Sequence, residues 1–175
     1  MTAPLAPTDV VAVIALGSNL GDREQIIRDA VHDIDALNGV SVTAASGLVE
    51  TLALKTDGVD ATAPTYLNAV ITARTTLTPR ELLSELNGIE RAHGRTRDVR
   101  WGDRTLDLDI IAFGDEQIAD PDLVVPHPRA WERAFVLAPW LEVDPNASIA
   151  GRGAVAVLLA DTGETPASYP AEALL

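Results

Sequence analysis

The chain has 175 residues, with 13 lysines and arginines against 26 aspartates and glutamates, so its formal net charge is −13. It contains no cysteine, which excludes disulfides, thiolate metal sites and cysteine nucleophiles. No apolar run is long enough to span a bilayer, and residues 1–9 lack the basic start of a secretory signal. We therefore expect one soluble, cytoplasmic domain over residues 10–160 without a membrane partner, and tails at 1–9 and 161–175.

Hydrophobic periodicity and cap residues predict the regular elements of the first two thirds of the chain. They are a strand over 10–16, a helix that starts at Asp22 and stops at Gly39, a strand over 40–54 that bends near Gly47, a loop over 55–65 and a strand over 66–77. A second helix starts at the capping-box sequence Thr78-Pro-Arg-Glu81 and ends at Gly94. A loop to residue 104 then leads into a strand over 105–113.

The C-terminal part has weaker signals. We expect an extended segment over 118–128, a short helix over 130–137, a brief extended piece over 140–143, a helical turn over 154–160 and no regular structure from residue 162. The order of the main elements, β-α-β-β-α-β, is that of the ferredoxin-like α+β fold, in which a mainly antiparallel sheet has both helices on one face. The sequence predicts this core with C-terminal additions.

Positive charge is concentrated in one segment of this acidic chain. Five arginines and two aspartates lie between Arg91 and Arg104. Affinity for nucleic acid depends on neutralising many phosphates, so the overall charge argues against a nucleic-acid partner. A compact arginine cluster suits a small phosphate-bearing ligand, because guanidinium groups bind phosphate oxygens in pairs.

An Asp-x-Asp pair follows the arginine segment directly. On the predicted strand, Asp107 and Asp109 point to one face and the leucines around them to the other. Carboxylates about 6.5–7 Å apart along a strand can lean onto a pair of hard cations, and Mg²⁺ completes such sites with water and phosphate oxygens. An isolated pair of this kind is more often the solvent face of a half-buried strand. The neighbouring arginines favour a metal–phosphate site here.

Other candidates are less specific. The turn Gly17-Ser-Asn-Leu-Gly21 lacks the P-loop pattern and is better explained as a strand-to-helix connection. His127 lies in a loop near Arg133, where a phosphate or ribose contact and an incidental position are both open. The aromatic residues Tyr66, Trp101 and Phe135 suit either the core or a sandwich around a flat heterocycle.

Five motifs occur together and in order: Gly17-Ser-Asn-Leu-Gly21, Tyr66-Leu-Asn-Ala69, Ile89-Glu90…Gly94-Arg95, Arg100-Trp-Gly-Asp-Arg-Thr-Leu-Asp-Leu-Asp-Ile110 and Pro126-His-Pro…Arg133-Ala-Phe135. On these motifs the chain resembles the 6-hydroxymethyl-7,8-dihydropterin pyrophosphokinases of folate biosynthesis. The resemblance implies a monomeric, ferredoxin-like enzyme. It would transfer the pyrophosphoryl group of ATP to the pterin hydroxymethyl oxygen and release AMP.

The resemblance also implies residue roles. Asp107 and Asp109 would be catalytic and hold two Mg²⁺ ions, and Arg95 and Arg104 would be the catalytic arginines. The implied ATP contacts are Asn87, Glu90, Arg97, Arg100, Trp101, Ile110, His127 and Arg133. The implied pterin contacts are the sandwiching rings of Tyr66 and Phe135, the amide of Asn68, and Thr51, Leu52, Leu54 and Trp101.

Three departures from the family pattern leave alternatives open. Asp103 stands where the family commonly has proline, the loop between Arg97 and Arg100 is one residue shorter than in some members, and the pterin-side loop begins Thr51-Leu-Ala-Leu-Lys55. A homologue that binds pterin or nucleotide without turnover is therefore one alternative. The β-α-β-β-α-β order leaves a second alternative, a single-stranded RNA-binding module. That class needs stacking aromatics and a basic surface, whereas strand 105–113 carries aspartates and the net charge is −13.

Overall fold

The computed structural model describes residues 9–55, 58–60, 62–94 and 105–175, with the backbone alone at 53–55 and 59–60. The strands in these ranges are β1 (Val10–Ser18), β2 (Val40–Ala45), β3 (Leu48–Thr51), β4 (Ala53–Lys55), β5 (Gly58–Asp60), β6 (Tyr66–Thr75), β7 (Asp107–Phe113), β8 (Ile118–Asp120), β9 (Leu123–Val125), β10 (Ser148–Ile149), β11 (Gly153–Ala154) and β12 (Ala167–Tyr169). The helices are α1 (Arg23–Asp35), α2 (Pro79–Ala92), α3 (Ala134–Val143) and α4 (Val155–Thr162), with a 3₁₀ turn at Ala130–Glu132.

The central sheet has the order β12-β3-β6-β1-β7. Strand β2 also pairs with β6, along the same edge as β3 but with later residues of β6. Every pairing in this sheet is antiparallel. The order of β1, α1, β2–β3, β6, α2 and β7 is the predicted ferredoxin-like arrangement. The fold prediction is confirmed.

Helices α1 and α2 begin at the predicted caps. The Asp22 side chain accepts from the Gln25 N–H, and Thr78 and Glu81 form a reciprocal capping box. The apolar stripes of both helices pack on one face of the sheet in a single core cluster, which contains Ile27, Val31, Ile34, Leu82, Leu86, Ile14, Leu16 and Ile71. None of the described helices is long and apolar enough to cross a membrane.

The opposite face of the sheet is covered by the C-terminal additions. Val13, Val70 and Ile111 pack there against Leu137 and Trp140 of α3. The prediction of an extended piece over 140–143 is wrong, because α3 continues to Val143. This helix is apolar on nearly all sides, so its sequence lacks the periodicity of an amphipathic helix. It also contains Pro139, a residue that normally disfavours a helix interior. Burial against the sheet outweighs the lost hydrogen bond at the proline.

Three further expectations need correction. The strand expected over 40–54 is divided into β2, β3 and β4, and the chain leaves the ladder where the Ser46 hydroxyl accepts from the Val70 N–H. The loop expected over 55–65 contains β5, which pairs with β4 as a hairpin. The segment after residue 162 contains β12, which pairs with β3 and extends the sheet.

Candidate active site

A cavity of about 290 Å³ opens on the face of the sheet that α3 covers only in part. It brings together nine of the predicted site residues, although they come from five parts of the chain. These residues are Thr51, Leu52, Tyr66, Asn68, Asp107, Asp109, His127, Arg133 and Phe135. Both predicted metal ligands and five of the seven predicted heterocycle contacts therefore line one cavity.

Strand β1 forms the floor of this cavity between its two ends. Gly17 lies opposite Asn68 on β6 and opposite Asp107 on β7, and Ala15 lies opposite Asp109. A Cβ atom at Gly17 would lie 3.2 Å from Asn68 Oδ1, which is a tight contact. Small residues on β1 thus leave open the space that joins the amide of Asn68 to the two carboxylates.

The two aspartates occupy the predicted positions on β7. Asp107 and Asp109 are half-buried, and the leucines on either side of Asp107 are buried in the helix-side core. The Leu108 N–H, between the two acids, donates to Glu90 Oε1 at 2.8 Å. Glu90 is 1% exposed, so a buried carboxylate of α2 anchors this edge strand at the level of the cavity. The alternation predicted from the sequence is confirmed.

The residues of the cavity fit a magnesium ion that is bound partly by substrate. Among the described residues, no group of three or more His, Cys, Asp or Glu side chains is placed to hold a metal. Within the described cavity, the carboxylates available to a metal ion are those of Asp107 and Asp109. Mg²⁺ commonly takes one or two carboxylates and fills its other positions with water and phosphate oxygens.

A bulge in β7 places His127 beside the acids. The pairing with β1 shifts so that Ile14 lies opposite Ile110 and Val13 opposite Ala112, leaving Ile111 as an extra residue. The Ile111 carbonyl then accepts from the His127 N–H at 2.9 Å. The bulge thereby fastens the His127 loop to the strand that carries the acids.

The His127 ring is neutral at pH 7. Its pKa is lowered to about 4, chiefly by burial. The positive charges of Arg133 and Arg129 also lower this pKa, whereas the negative charge of Asp107 raises it. Its Nδ1 accepts from the Arg129 N–H at 3.2 Å, so the ring proton of the neutral form lies on Nε2. His127 can therefore donate one hydrogen bond to an oxygen without carrying charge.

Arg133 supplies the positive charge of the described cavity. It joins the 3₁₀ turn to α3, where its carbonyl accepts from the Val136 and Leu137 N–H groups. Burial lowers its pKa, with Arg129 acting in the same direction and Asp109 and Asp107 opposing, yet a guanidinium stays charged. Its buried Nε has no hydrogen-bond partner among the described residues. An anionic oxygen is the natural partner of such a donor.

The other end of the cavity combines an amide with aromatic rings. Asn68 Nδ2 donates to Thr51 Oγ1 at 2.9 Å, which orients the amide. Thr51 in turn lies opposite Tyr66 in the β3–β6 ladder. Phe135 reaches the same cavity from α3, so the two predicted sandwiching rings come from different layers of the fold.

Some predicted site residues lie elsewhere. Asn87 and Glu90 are on α2, and the Ile110 side chain is in the helix-side core, so none of the three lines this cavity. Arg95, Arg97, Arg100, Trp101 and Arg104 lie outside the described residues, as does the side chain of Leu54.

Sequence reasoning did not identify Ala15 and Gly17 as site residues, nor Val136. Gly17 belongs to the motif Gly17-Ser-Asn-Leu-Gly21, but its place on the cavity floor depends on which strands flank β1. The alternation of small residues in Ala15-Leu-Gly17 on a buried strand is the available signal. Val136 adjoins Phe135 and has no comparable signal.

A family model described as 7,8-dihydro-6-hydroxymethylpterin-pyrophosphokinase (HPPK) matches residues 13–145. The 2-amino-4-hydroxy-6-hydroxymethyldihydropteridine pyrophosphokinase of Bacillus subtilis is 47% identical over 76% of this chain and 77% of its own length. The mitochondrial folate synthesis bifunctional protein of Arabidopsis thaliana is 43% identical over 81% of this chain, but the match spans only 25% of that protein.

A solved structure of Plasmodium falciparum HPPK-DHPS with pterin and p-hydroxybenzoate superposes with a TM-score of 0.68. It is 16% identical and covers 89% of this chain, which spans 43% of that longer chain. At this identity the likeness supports the fold alone. The family match and the Bacillus relative go further, and they show that this chain belongs to the 7,8-dihydro-6-hydroxymethylpterin-pyrophosphokinase family.

Proposed function

We propose that this protein transfers the pyrophosphoryl group of ATP to the hydroxymethyl oxygen of 6-hydroxymethyl-7,8-dihydropterin, releases AMP and requires Mg²⁺. Family membership supports pyrophosphate transfer to this pterin in folate biosynthesis. The observation that carries the finer proposal is the shared cavity, in which Asn68 and Asp107 lie on either side of Gly17. A heterocycle and a metal-bound phosphate chain can meet there.

The aromatic and amide end would bind the pterin. Its flat ring would lie between Tyr66 and Phe135, since both rings line the cavity. The Asn68 amide, oriented by Thr51, has a second N–H and a carbonyl oxygen to pair with the polar edge of the ring. Leu52 and the backbone of Leu54 would complete the contact. This orientation would point the hydroxymethyl group across Gly17 toward the acids.

The acidic end would bind the phosphates. Asp107 and Asp109 would hold the two Mg²⁺ ions that we expect, and bound Mg²⁺ lowers the negative charge on the phosphate oxygens. Arg133 would pair with a phosphate oxygen, and His127 would donate its Nε2–H to another. We further assign catalytic roles to Arg95 and Arg104 and ATP contacts to Asn87, Glu90, Arg97, Arg100, Trp101 and Ile110. These assignments depend on the resemblance of the motifs.

The reaction needs placement and charge neutralisation more than a protein nucleophile. The hydroxymethyl oxygen forms a bond to the β-phosphorus, and the bond from that phosphorus to the oxygen bridging it to the α-phosphorus breaks. AMP leaves with that oxygen, and the hydroxyl proton is lost to water. Within this scheme the described side chains orient the acceptor, hold the phosphates and keep the imidazole uncharged. The proposal also includes a monomeric enzyme in the cytoplasm.

Product analysis tests the proposal. The purified chain is incubated with ATP, Mg²⁺ and 6-hydroxymethyl-7,8-dihydropterin, and nucleotides are separated by ion-exchange chromatography. We expect one AMP for each pterin consumed, no ADP, and no reaction when EDTA is added or the pterin is omitted. Formation of ADP would contradict the reaction. Binding of both ligands without any AMP would identify a binding protein instead.

A further inference from the structure

The two ends of the segment between Thr51 and Tyr66 are joined to each other on the side of the sheet away from the cavity. Thr51 and Tyr66 lie opposite each other at the end of a β3–β6 ladder of three residue pairs. Their chain neighbours Glu50 and Thr65 are bound to each other, since Thr65 Oγ1 donates to Glu50 Oε1 at 2.7 Å. Adjacent strand residues point to opposite faces, so Glu50 lies on the side away from the cavity that Thr51 lines.

Arg23, the first residue of α1, joins these two ends. Its Nη1 lies 3.0 Å from Glu50 Oε1, 2.7 Å from Thr65 Oγ1 and 2.9 Å from the Thr65 carbonyl oxygen. The side chains of Arg23 and Glu50 are 22% and 37% exposed. The Arg23 guanidinium also lies 5.9 Å from the centre of the Tyr169 ring on β12. One cation therefore links α1, β3, the start of β6 and the C-terminal strand.

We propose that Arg23 is a positioning residue for the pterin end of the active site. By clamping Glu50 and Thr65 from the helix side, it keeps Thr51 and Tyr66 in register, and the Thr51 hydroxyl then orients the Asn68 amide. Arg23 does not line the cavity, so it acts through these residues. The inference rests on the proposed function, because it assigns that end of the cavity to the pterin.

Arg28 provides a matched control on the same helix. Its side chain is 20% exposed and pairs with Glu24 at 2.8 Å. It also donates to the Glu172 and Ala173 carbonyls near the C-terminus. Removing Arg28 therefore deletes a comparable charge and comparable hydrogen bonds, but Glu24, Glu172 and Ala173 do not line the cavity.

Steady-state kinetics and direct binding test the clamp in the full chain. For Arg23→Gln we expect the KM for the pterin to rise about tenfold, as expected for the loss of charge-assisted hydrogen bonds, while the KM for ATP changes less than twofold. Arg23→Lys should recover part of the loss, since an ammonium can still donate to Glu50 and Thr65. Arg28→Gln should leave both KM values within twofold of wild type. Thermal melts verify that each variant is folded.

Equal effects of Arg23→Gln and Arg28→Gln, or a parallel rise in both KM values, would overturn the proposal. If Arg23→Gln does not fold, Thr65→Val tests the same clamp by removing its hydroxyl at similar volume. Calorimetric titration of the pterin, with a non-hydrolysable ATP analogue and Mg²⁺ present, separates the two levels of inference. Wild type that fails to bind the pterin contradicts the proposed function, whereas equal affinities of wild type and Arg23→Gln contradict the clamp.

Discussion

The two ends of the cavity are assembled in different ways. The acidic end takes Asp107 and Asp109 from one strand, and that strand is held by β1 on one side and by Glu90 on the other. The other end, to which we assign the pterin, takes Thr51, Asn68 and Phe135 from β3, β6 and α3. The carboxylates of the first end are therefore set by local alternation on an anchored strand, whereas the second end is set by how distant elements pack.

The largest difference between the ends should appear when an acid is neutralised. We expect Asp107→Asn and Asp109→Asn each to lower kcat about 10³-fold or more, because under the proposed function each removes a charged metal ligand worth several kcal/mol in the transition state. The midpoint of thermal unfolding should stay within a few degrees of wild type, since both side chains are half-buried on the cavity face. AMP formation and calorimetry measure the two effects. Unfolding of either variant without ligands would mean that the pair is structural.

Gly17 lies where the two ends meet, so an added methyl group there sharpens the comparison. We expect Gly17→Ala to lower kcat/KM for the pterin by about 10–100-fold, because its Cβ would lie 3.2 Å from Asn68 Oδ1 and 3.8 Å from Tyr66 Cδ1. The backbone of Gly17 is not in the left-handed region, so the fold should be retained. Steady-state assays with varied pterin measure the loss.

Gly47→Ala is the control for this substitution. Its backbone is also outside the left-handed region, and its Cβ would lie 3.5 Å from Glu142 Oε2, away from the cavity. It should leave kcat/KM unchanged within twofold. Equal losses in the two variants would show that the effect comes from adding a methyl group at a glycine of this fold and not from the cavity floor.

Local patterns predicted the acidic end well. Alternation around Asp107 and Asp109 and the capping box at Thr78 depend on residues close in sequence, and both occur as expected. The order of the ferredoxin-like elements follows from the same kind of signal. Local patterns could not predict that Glu90 anchors β7, because this hydrogen bond joins residues 18 positions apart.

The pterin end depends on packing that periodicity does not encode. The length of α3 was missed because its apolar surface faces both the sheet and α4, which erases the pattern of an amphipathic helix. β12 was missed because three residues pair with β3 only once that edge of the sheet exists. Tyr66 and Phe135 were two of three aromatic candidates, a resemblance selected them as the sandwiching pair, and only the packing of α3 on the sheet brings them to one cavity.

The anchoring of the acidic strand can be tested at Glu90. Replacing Glu90 by Leu should lower the free energy of unfolding by about 1–3 kcal/mol, because the Leu108 N–H loses its acceptor in a buried place. Glu90→Gln keeps a carbonyl oxygen and should cost less. Urea unfolding followed by circular dichroism measures both. Equal destabilisation by Leu and Gln would show that the charge of Glu90, and not its acceptor oxygen, holds the strand.

The smallest expected effect is the contribution of His127 to the pH dependence of the free energy of unfolding. Its size depends on how far the acidic end is shielded from water. The His127 pKa of about 4 in the folded protein lies below the ordinary 6.5, so between these pH values the unfolded chain binds more protons. The resulting stability is fully present above pH 6.5 and is lost as the pH falls toward 4. Partial solvent exposure reduces this contribution to about 1–2 kcal/mol.

The His127→Gln variant isolates this contribution, because glutamine does not titrate and the acidic residues of both proteins titrate alike. Urea unfolding at pH 7, 6, 5 and 4 should show that the free energy of unfolding falls by about 1–2 kcal/mol more for the wild type than for the variant between pH 7 and 4. Parallel curves would mean that water reaches the ring in the folded state. The acidic end would then be as exposed to water as an ordinary strand face. The two ends would differ only in that one takes its residues from a single strand and the other from elements far apart in the sequence.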